Sequence, residues 1–307
     1  RKPAYVDWDA CTGCGACSEK CPTSIPVAFD RGLEMPRVMK SGKVRHEGTG
    51  KAIYTLSPQA VPKKPVIDPG YCRYLLDGKC GVCAKVCPVG AIDYEQEPHW
   101  SEEWVGAVIL ATGYELYPLE KLGEYGGGQV PDVIDALAME RLLSASGPTS
   151  GVMRRPSDGK EPQEVVWIQC AGSRDPELAM PYCSKICCMY SAKQAMLYKH
   201  KVHHGQAYVF YIDIRSAGKR YEEFIQRAME EDDVVYVRGK VSKVFRESDK
   251  VMVWGVDTLT GVPVEVAADL VVISQAMVPS EGTREMADML GLDVDEFGWW
   301  TEKEGNL

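Results

Sequence analysis

Three compact groups of cysteines constrain this chain more than any other feature. All 12 cysteines of the 307-residue sequence fall into them, four to a group. The groups read CTGCGACSEKCP at 11–22, CRYLLDGKCGVCAKVCP at 72–88 and CAGSRDPELAMPYCSKICC at 170–188. Four thiolates are the ligand set of one cubane iron–sulfur cluster. The pattern therefore predicts three [4Fe–4S] clusters with no cysteine left over, in a protein that moves electrons.

The spacing of the first two groups is typical of bacterial ferredoxins. Three closely spaced cysteines hold one cluster, and the fourth, followed by proline, reaches the neighbouring cluster. The prediction is two ligand sets that exchange their fourth member: Cys11, Cys14, Cys17 and Cys87 for the first cluster, and Cys72, Cys80, Cys83 and Cys21 for the second. The segment RYLLDGK between Cys72 and Cys80 departs from this spacing, and we expect it to loop out.

Zinc and disulfides are the alternatives for these cysteines. Structural zinc sites usually combine separated CxxC pairs, often with histidine, and none of the five histidines lies inside the first two groups. Disulfide scaffolds are usually small, whereas this chain is long enough to bury an ordinary core. Iron–sulfur ligation is therefore favoured, and with it a reducing compartment, the cytoplasm.

Composition excludes several classes of function. The sequence is 45% hydrophobic and 26% charged, as in ordinary soluble proteins, and its net charge of −9 argues against nucleic acid as a partner. No apolar run approaches the roughly 18–20 residues that span a bilayer. The longest, VGAVILATG at 105–113, is expected to be a buried strand.

The pattern of hydrophobic residues divides the chain into a cysteine-rich part and an α/β part. Residues 1–8 resemble a short strand, and 9–97 form the cysteine-rich part with a long irregular insertion at 22–71. Residues 98–307 alternate strands with helices, which predicts an α/β layered sheet. Strands are expected at 165–169 and 207–214, and helices at 130–146, 184–202 and 221–231.

The third cysteine group is harder to interpret from spacing. Cys170 ends a predicted strand, while Cys183, Cys187 and Cys188 lie at the start of a predicted helix. A dinucleotide-binding unit would carry GxGxxG at this position, and that motif occurs nowhere in the sequence. Buried free cysteines and a reactive thiol pair at a helix start are both open alternatives to a cluster.

The motifs together resemble those of a known family. CTGCGACSEKCP, GKCGVCAKVCPVGAID, VGAVILATGY, QCAGSRD, YCSKICCMYSAKQA and YIDIRSAGKRYEEF are similar to the A subunit of heterodisulfide reductase, in its bacterial versions. The resemblance implies an inserted two-cluster ferredoxin-like (α+β) domain at 9–97. Residues 98–307 would then be part of a thioredoxin-reductase-like FAD/NAD(P)-binding domain, preceded by a flavoprotein segment of which 1–8 is the end.

The resemblance also assigns roles to residues that spacing leaves open. It implies that the third group is an unusual cluster site beside the flavin, with Cys170, Cys183, Cys187 and Cys188 as ligands. It places Lys193 near the reactive flavin nitrogen and Ala111, Thr112 and Gly113 where the chain approaches FAD. The chemistry implied is flavin-based electron bifurcation. The partners implied are ferredoxin, other heterodisulfide-reductase-like subunits, and a hydrogenase- or dehydrogenase-type donor subunit.

Two departures keep other functions open. The glycine-rich segment that would take the FAD pyrophosphate and the segment that closes the flavin site are missing, and Gln275-Ala276 stands where relatives often have a Thr-Gly-like pair. The chain therefore resembles an internal fragment. The alternatives are a flavin-free iron–sulfur wire in a larger assembly, a thiol–disulfide oxidoreductase using Cys187 and Cys188, or a component of a quinone-linked membrane complex.

Overall fold

The chain folds into two compact units, described here from a computed structural model that covers residues 2–57 and 59–302. The first unit comprises Arg1–Gly106 and Ser144–Gly159, and the second comprises Ala107–Leu143 and Lys160–Leu307. The α/β class predicted from the sequence is confirmed by the parallel sheet of the second unit.

The first unit is built from short elements around the cysteines. Its helices are α1 (Ala16–Lys20), α2 (Arg73–Asp77) and α3 (Val82–Val86). Its strands are β1 (Ser24–Ile25), β2 (Glu34–Val38), β3 (Val44–Gly48), β4 (Gly50–Lys51), β5 (Ile53–Tyr54) and β6 (Val66–Ile67). They form three antiparallel pairs, β1–β4, β2–β3 and β5–β6. The small core contains cysteines together with Val6, Ile53, Ile67 and Ala91.

The insertion at 22–71 is not irregular throughout, so that prediction is wrong in part. Strands β2 and β3 form a hairpin whose register runs from Glu34 opposite Gly48 to Val38 opposite Val44. Gly42 adopts a φ of 77° in the turn, a conformation that glycine reaches without strain. The proline, glycine and lysine content of this segment indicated a loop. In the structure, Gly42 instead forms the turn of a hairpin.

The segment RYLLDGK does not loop out either. Arg73–Asp77 forms the helical turn α2, which ends at Gly78 with a φ of 71°. Leu75 packs against the core of the first unit, and burial of this apolar side chain favours the helical turn over a solvated loop.

A parallel sheet of five strands organises the second unit. The strands of this unit are β7 (Tyr114–Leu116), β8 (Val133–Asp135), β9 (Glu164–Ala171), β10 (Gln206–Tyr211), β11 (Val235–Arg238), β12 (Val241–Glu247), β13 (Lys250–Asp257), β14 (Val262–Ala268), β15 (Leu270–Gln275) and β16 (Met277–Pro279). The order of the parallel sheet is β11-β10-β9-β15-β8, and a separate three-stranded antiparallel sheet has the order β12-β13-β14. The helices are α4 (Ala136–Leu143), α5 (Cys187–Lys201), α6 (Tyr221–Glu230) and α7 (Thr283–Leu290).

The buried strand β9 shows how the layers are made. Val166 and Ile168 join the core shared with the antiparallel sheet, while Trp167, on the opposite face, hydrogen-bonds to Gln194 of α5 at 3.0 Å. Successive side chains of a strand point to opposite faces, so a strand covered on both sides is apolar throughout. This is why VVWIQ could be identified as a buried strand from the sequence.

Two predicted elements of the second unit are wrong. The helix expected at 130–146 begins as strand β8, and only Ala136–Leu143 is helical, because Asp135 accepts a hydrogen bond from the Ala138 N–H at 2.7 Å and starts the helix there. The buried strand expected at 105–113 is neither buried nor a strand: Val108 is 66% and Ile109 91% exposed. A central strand needs neighbours to hydrogen-bond with, and no strand among the described residues pairs with 105–113.

Across residues 2–57 and 59–302, none of the helices combines the length and the apolar character that crossing a membrane demands.

Candidate functional site

The first ligand set expected from spacing lines one cavity of the first unit. Cys11, Cys14, Cys17 and Cys87 all face it. Cys17 is buried in α1, which begins after Gly15 in the left-handed region, whereas Cys14 is exposed.

Backbone amides point at two sulfurs of this set. The Gly13 N–H lies 3.4 Å from Cys11 Sγ, and the Ala91 N–H lies 3.2 Å from Cys87 Sγ. Hydrogen bonds of this kind stabilise thiolates and tune the potential of a cluster.

The second set lines a separate cavity. Cys21, Cys72, Cys80 and Cys83 face it, as do Tyr74 and Tyr94. Cys21 follows the last residue of α1, Cys72 precedes α2, and Cys83 lies in α3, so three helix ends bring these side chains together. The hydroxyl of Tyr94 lies 2.9 Å from Cys83 Sγ.

Each cavity thus takes three cysteines from one sequence group and one from the other. Helices α1 and α3 pack against each other, and this packing carries Cys21 toward the second group and Cys87 toward the first. The arrangement is the exchange of fourth ligands that the ferredoxin spacing implies.

Zinc and a cubane cluster differ in how they use cysteine sulfurs. Among the described residues, no three histidine, cysteine, aspartate or glutamate side chains are arranged to hold one metal ion. Zinc requires its four ligands around one point, whereas a cubane cluster takes one sulfur at each of four separate iron corners. Two cavities that each bring together four cysteines fit the ligand set of such a cluster.

The third cysteine group lies at the carboxyl end of β9. Cys170 is buried near the end of this strand with a φ of 58°, and Cys187 and Cys188 are the first two residues of α5. Cys183 precedes them in a loop that is held by a hydrogen bond from the Ser173 hydroxyl to the Tyr182 carbonyl at 2.8 Å. The carboxyl ends of parallel strands are where α/β sheets bind ligands.

Polar groups surround these sulfurs. Cys188 Sγ accepts from the Arg215 N–H at 3.4 Å, and Cys183 Sγ accepts from the Lys185 N–H at 3.3 Å. Arg174 makes a 2.7 Å ion pair with Asp213, and its positive charge works to lower the pKa of Cys170, against the larger effect of burial. A cation and several amides therefore face a group that would be anionic when ligated.

Gln169 provides a test of whether this third site fits a cluster. It is 4% exposed, its side-chain carbonyl accepts the Cys188 thiol at 3.6 Å, and its Nε2 is buried with no partner among the described residues. Ligation turns Cys188 from a donor into an acceptor, and rotation of the amide by about 180° then gives Nε2 a partner. The unpartnered donor is thus satisfied by a thiolate-bound cluster.

The free thiols of this group are not poised for nucleophilic chemistry. Burial, and next the proximity of Cys188, raises the pKa of Cys187 to about 12, and burial is also the main cause that raises the pKa of Cys188 and of Cys170. Reactive cysteines have a lowered pKa. The environment of Cys187 and Cys188 therefore argues against a nucleophilic thiol–disulfide role.

A cavity of about 250 Å³ adjoins the start of helix α5. Its lining includes Tyr114, Glu140, Ile186 and Tyr190, and Ile186 immediately precedes Cys187. The lining is mostly apolar with a few polar groups, as is usual for organic cofactors. Lys193 makes a 2.6 Å ion pair with Glu140, at the wall of this cavity.

The residues expected to approach FAD, 111–113, immediately precede Tyr114 in the chain. Tyr114 lines the 250 Å³ cavity, whereas Ala111 and Gly113 are exposed and Thr112 is half-buried. The Thr112 hydroxyl accepts from the Trp300 indole N–H at 3.2 Å. Tyr114 thus lines this cavity and Lys193 pairs with Glu140 of its lining, but neither Lys193 nor residues 111–113 line it.

Three polar residues at these sites were missed by sequence reasoning. Gln169 precedes a predicted ligand and Arg174 lies within the quoted QCAGSRD motif, so both were adjacent to a visible signal. Tyr94 is eleven positions from Cys83, and nothing local to the sequence indicates their contact.

Comparison with known proteins agrees with the cluster geometry. Residues 4–27 match the family described as "4Fe-4S binding domain". This match confirms the ferredoxin-like character of the first part of the chain.

The full chain aligns with curated archaeal proteins. It is 40% identical over 309 residues to the A subunit of the "H(2):CoB-CoM heterodisulfide,ferredoxin reductase" of Methanothermobacter thermautotrophicus. It is 42% identical over 309 residues to the iron-sulfur A subunit of the "CoB--CoM heterodisulfide reductase" of Methanocaldococcus jannaschii. Both alignments cover 100% of this chain and 44% of the relative, so the chain spans less than half of the proteins that it matches.

Among solved structures, the thioredoxin reductase of T. acidophilum is similar over 62% of this chain and 50% of that chain, with 14% identity. The TM-score is 0.38, which is too low to establish a shared fold. The comparison therefore depends on the sequence relatives and not on the solved thioredoxin reductase. These alignments agree with the resemblance that the cysteine motifs indicated: along its whole length, the chain is similar to part of the heterodisulfide reductase A subunits.

Proposed function

We propose that this chain is the electron-transfer part of a heterodisulfide-reductase-like oxidoreductase, in which three [4Fe–4S] clusters exchange electrons with FAD. The observation that carries the proposal is the sorting of the first eight cysteines into two cavities, each with four sulfurs and each taking one ligand from the other sequence group. Such a pair of neighbouring clusters forms a path for electrons.

The third cluster and the flavin are proposed for the second unit. Cys170, Cys183, Cys187 and Cys188 would hold the cluster, with Gln169 and Arg174 as donors to its sulfurs. The 250 Å³ cavity beside Ile186 and Tyr190 would receive part of the flavin. When bound, FAD supplies the conversion of a two-electron transfer into single-electron transfers, and in the bifurcating form of this function the two electrons leave at different potentials.

The residues of the chain have defined tasks in this scheme. Lys193 presents a cation at the cavity wall, where it would stabilise negative charge on a reduced ring, and Glu140 fixes its position. The apolar lining excludes water, which strengthens this electrostatic effect. Helix α5 begins with two ligands and carries Lys193 near the cavity, so a single element couples the proposed cofactors.

The partners follow from the relatives and from the electron path. The name of one relative mentions ferredoxin and H₂, and a path that ends in a ferredoxin-like unit suits a protein acceptor of similar potential. We propose association with ferredoxin, with other heterodisulfide-reductase-like subunits and with a hydrogenase- or dehydrogenase-type donor subunit.

The test is the iron, acid-labile sulfide and flavin content of the anaerobically purified chain. We expect about 12 irons and 12 sulfides per chain, four of each per cluster. The double variant Cys187→Ser, Cys188→Ser should retain about eight irons, because only the third cluster loses ligands. A matched control, Cys11→Ser with Cys14→Ser, should lose a different set of about four while the third site stays filled.

The outcomes separate this proposal from its alternatives. Eight irons in the unmodified chain, together with thiols that titrate in the native protein, would support a thiol–disulfide role for Cys187 and Cys188. Twelve irons without any binding of added FAD would support a flavin-free wire. Absence of iron and sulfide from the anaerobic protein would refute the electron-transfer function.

A further inference from the structure

The segment of the second cysteine group that departs from ferredoxin spacing contributes a tyrosine, Tyr74, to the lining of the second cavity. Seven residues, RYLLDGK, separate Cys72 from Cys80, against two in the first group. The first five of them, Arg73–Asp77, form helix α2. Leu75 packs against the core of the first unit, and Tyr74 precedes it on the helix.

Tyr74 stacks on Tyr94. The ring centroids are 3.8 Å apart and the planes are inclined by 21°. Tyr94 is half-buried, while Tyr74 is 39% exposed and covers it from one side. Aromatic pairs of this kind contribute about 0.5–1.5 kcal/mol beyond area burial. The stack therefore restricts the orientation of the Tyr94 ring.

The restricted ring holds its hydroxyl on a ligand. Tyr94 Oη lies 2.9 Å from Cys83 Sγ, and both tyrosines line the cavity of the second cysteine set. A thiolate has no proton to give, so in the ligated state the tyrosine hydroxyl is the donor. A hydrogen bond to a ligand sulfur favours the more negative, reduced cluster and raises its potential.

The first cluster site differs at the equivalent ligand. Cys17 occupies the position in the first group that Cys83 occupies in the second. Among the described residues, no side-chain hydroxyl hydrogen-bonds to the sulfur of Cys17. The O–H···S bond is thus a feature of the second site, whereas backbone N–H groups are directed at two sulfurs of the first.

On the basis of the proposed cluster ligation, we propose that Tyr94, positioned by Tyr74 from the spacer between Cys72 and Cys80, raises the reduction potential of the second cluster. The pair acts through Cys83 and does not itself bind or transfer electrons. Without the hydroxyl of Tyr94, the second cluster would be harder to reduce.

The test is an EPR-monitored redox titration of the anaerobically purified chain, with iron and sulfide counted on the same samples. Tyr94→Phe keeps the stacked ring and removes the donor. At a fixed solution potential we expect the reduced-to-oxidised ratio of one cluster to fall by about tenfold, which is ~59 mV for a one-electron couple. The other clusters and the iron content should not change.

Two variants of Tyr74 test the positioning role. Tyr74→Ala removes the stack but leaves the hydroxyl of Tyr94, and we expect a shift in the same direction but smaller. Tyr74→Phe keeps the stack and should titrate like the unmodified chain. In a Cys80→Ser background, where the second cluster has lost a ligand, Tyr94→Phe should leave the remaining clusters unaffected.

Three results would overturn the inference. The first is an unchanged titration of Tyr94→Phe with full iron content. The second is loss of iron in that variant, which would make the hydroxyl a requirement for cluster retention. The third is a shift in Tyr74→Phe as large as in Tyr74→Ala, which would show that stacking is not the cause. Absence of iron from the unmodified chain would instead refute the proposed function.

Discussion

Arg174 shows how a single residue could set the properties of the proposed third cluster. Its guanidinium lies 2.7 Å from Asp213, and its charge acts on Cys170. The carboxylate orients the cation, and the cation compensates negative charge on the ligand. Since this charge grows when the cluster is reduced, the cation should favour the reduced state.

We therefore predict that Arg174→Gln lowers the potential of the third cluster, with a fall of about tenfold in the reduced-to-oxidised ratio at fixed solution potential. The measurement is a redox titration followed by EPR, with iron content as a check on cluster retention. Arg227→Gln, on the surface of α6, is the matched control and should behave as the unmodified chain. A third cluster that titrates normally in Arg174→Gln would contradict the assigned role.

Lys193 gives the second prediction at this scale. Its ammonium group lies 2.6 Å from Glu140 at the wall of the 250 Å³ cavity. In protein carrying FAD, Lys193→Ala should leave the iron count unchanged and slow flavin reduction by on the order of tenfold to a hundredfold, because a positioned cation near developing charge is lost. Stopped-flow absorbance of the flavin measures this.

Lys199→Ala is the control for this experiment, because Lys199 lies on the same helix and donates to the Gly205 carbonyl at 2.9 Å, away from the cavity. Equal effects of the two substitutions would indicate a general disturbance of α5. Unaltered flavin reduction in Lys193→Ala would exclude its proposed role.

At the scale of elements, Asp269 joins three strands. Its carboxylate accepts from the backbone N–H groups of Gln163 and Glu164 at 2.8 and 3.1 Å and from the Lys250 ammonium at 2.8 Å. Burial works to raise the pKa of Asp269, but these hydrogen bonds outweigh it, so the pKa is lowered. The start of β9 is thereby tied to β13 and β15.

The lowered pKa makes the stability of this unit depend on pH. The ionised carboxylate contributes stability fully above the unfolded-state pKa of about 3.9, and this contribution is lost as pH falls through the folded-state pKa. We predict that Asp269→Asn reduces the free energy of unfolding at pH 7 by about 1–3 kcal/mol and reduces the acid dependence below pH 4. Urea unfolding at several pH values checks this, with Asp288→Asn at an exposed position of α7 as control. Equal acid sensitivity of Asp269→Asn and the unmodified chain would contradict it.

Elements with a clear apolar run or a clear helical spacing were predicted well. The strands expected at 165–169 and 207–214 and the helix expected at 221–231 correspond to β9, β10 and α6. Here the apolar run or the helical spacing determines the structure locally. The run at 105–113 has an equally apolar sequence, yet it is exposed, because a strand also depends on neighbours that its own residues do not specify.

The candidate sites show the same limit. Cysteine spacing indicated the two ferredoxin-like ligand sets, because a helical turn fixes the relative positions of nearby ligands. The contacts of Tyr94 with Cys83 and of Arg174 with Asp213 join residues 11 and 39 positions apart, and only the folded chain brings them together. Hydrogen bonds between residues that are separated in the chain are thus the part of the sites that could not be predicted from the sequence.

At the scale of the whole molecule, the cysteine groups are divided between two units that the chain enters alternately. The segment 144–159 belongs to the first unit, although α4 before it and β9 after it belong to the second. The cluster ligands follow this division, with eight cysteines in the first unit and four in the second. Each unit therefore carries complete ligand sets of its own.

The exposure of Cys14 has a consequence for how the protein would fail in air. Among the 12 cysteines, Cys14 alone is exposed, whereas all four of the third group are buried or half-buried. Oxygen attacks accessible sulfur first, and sulfinic and sulfonic products no longer bind iron. During brief aeration we expect damage to begin at the first cluster, so that peptide mapping after alkylation finds oxidised Cys14 before oxidised Cys170. Simultaneous oxidation of both would contradict this order. If Cys14 is oxidised first, the first cluster is the part of the protein that air inactivates first.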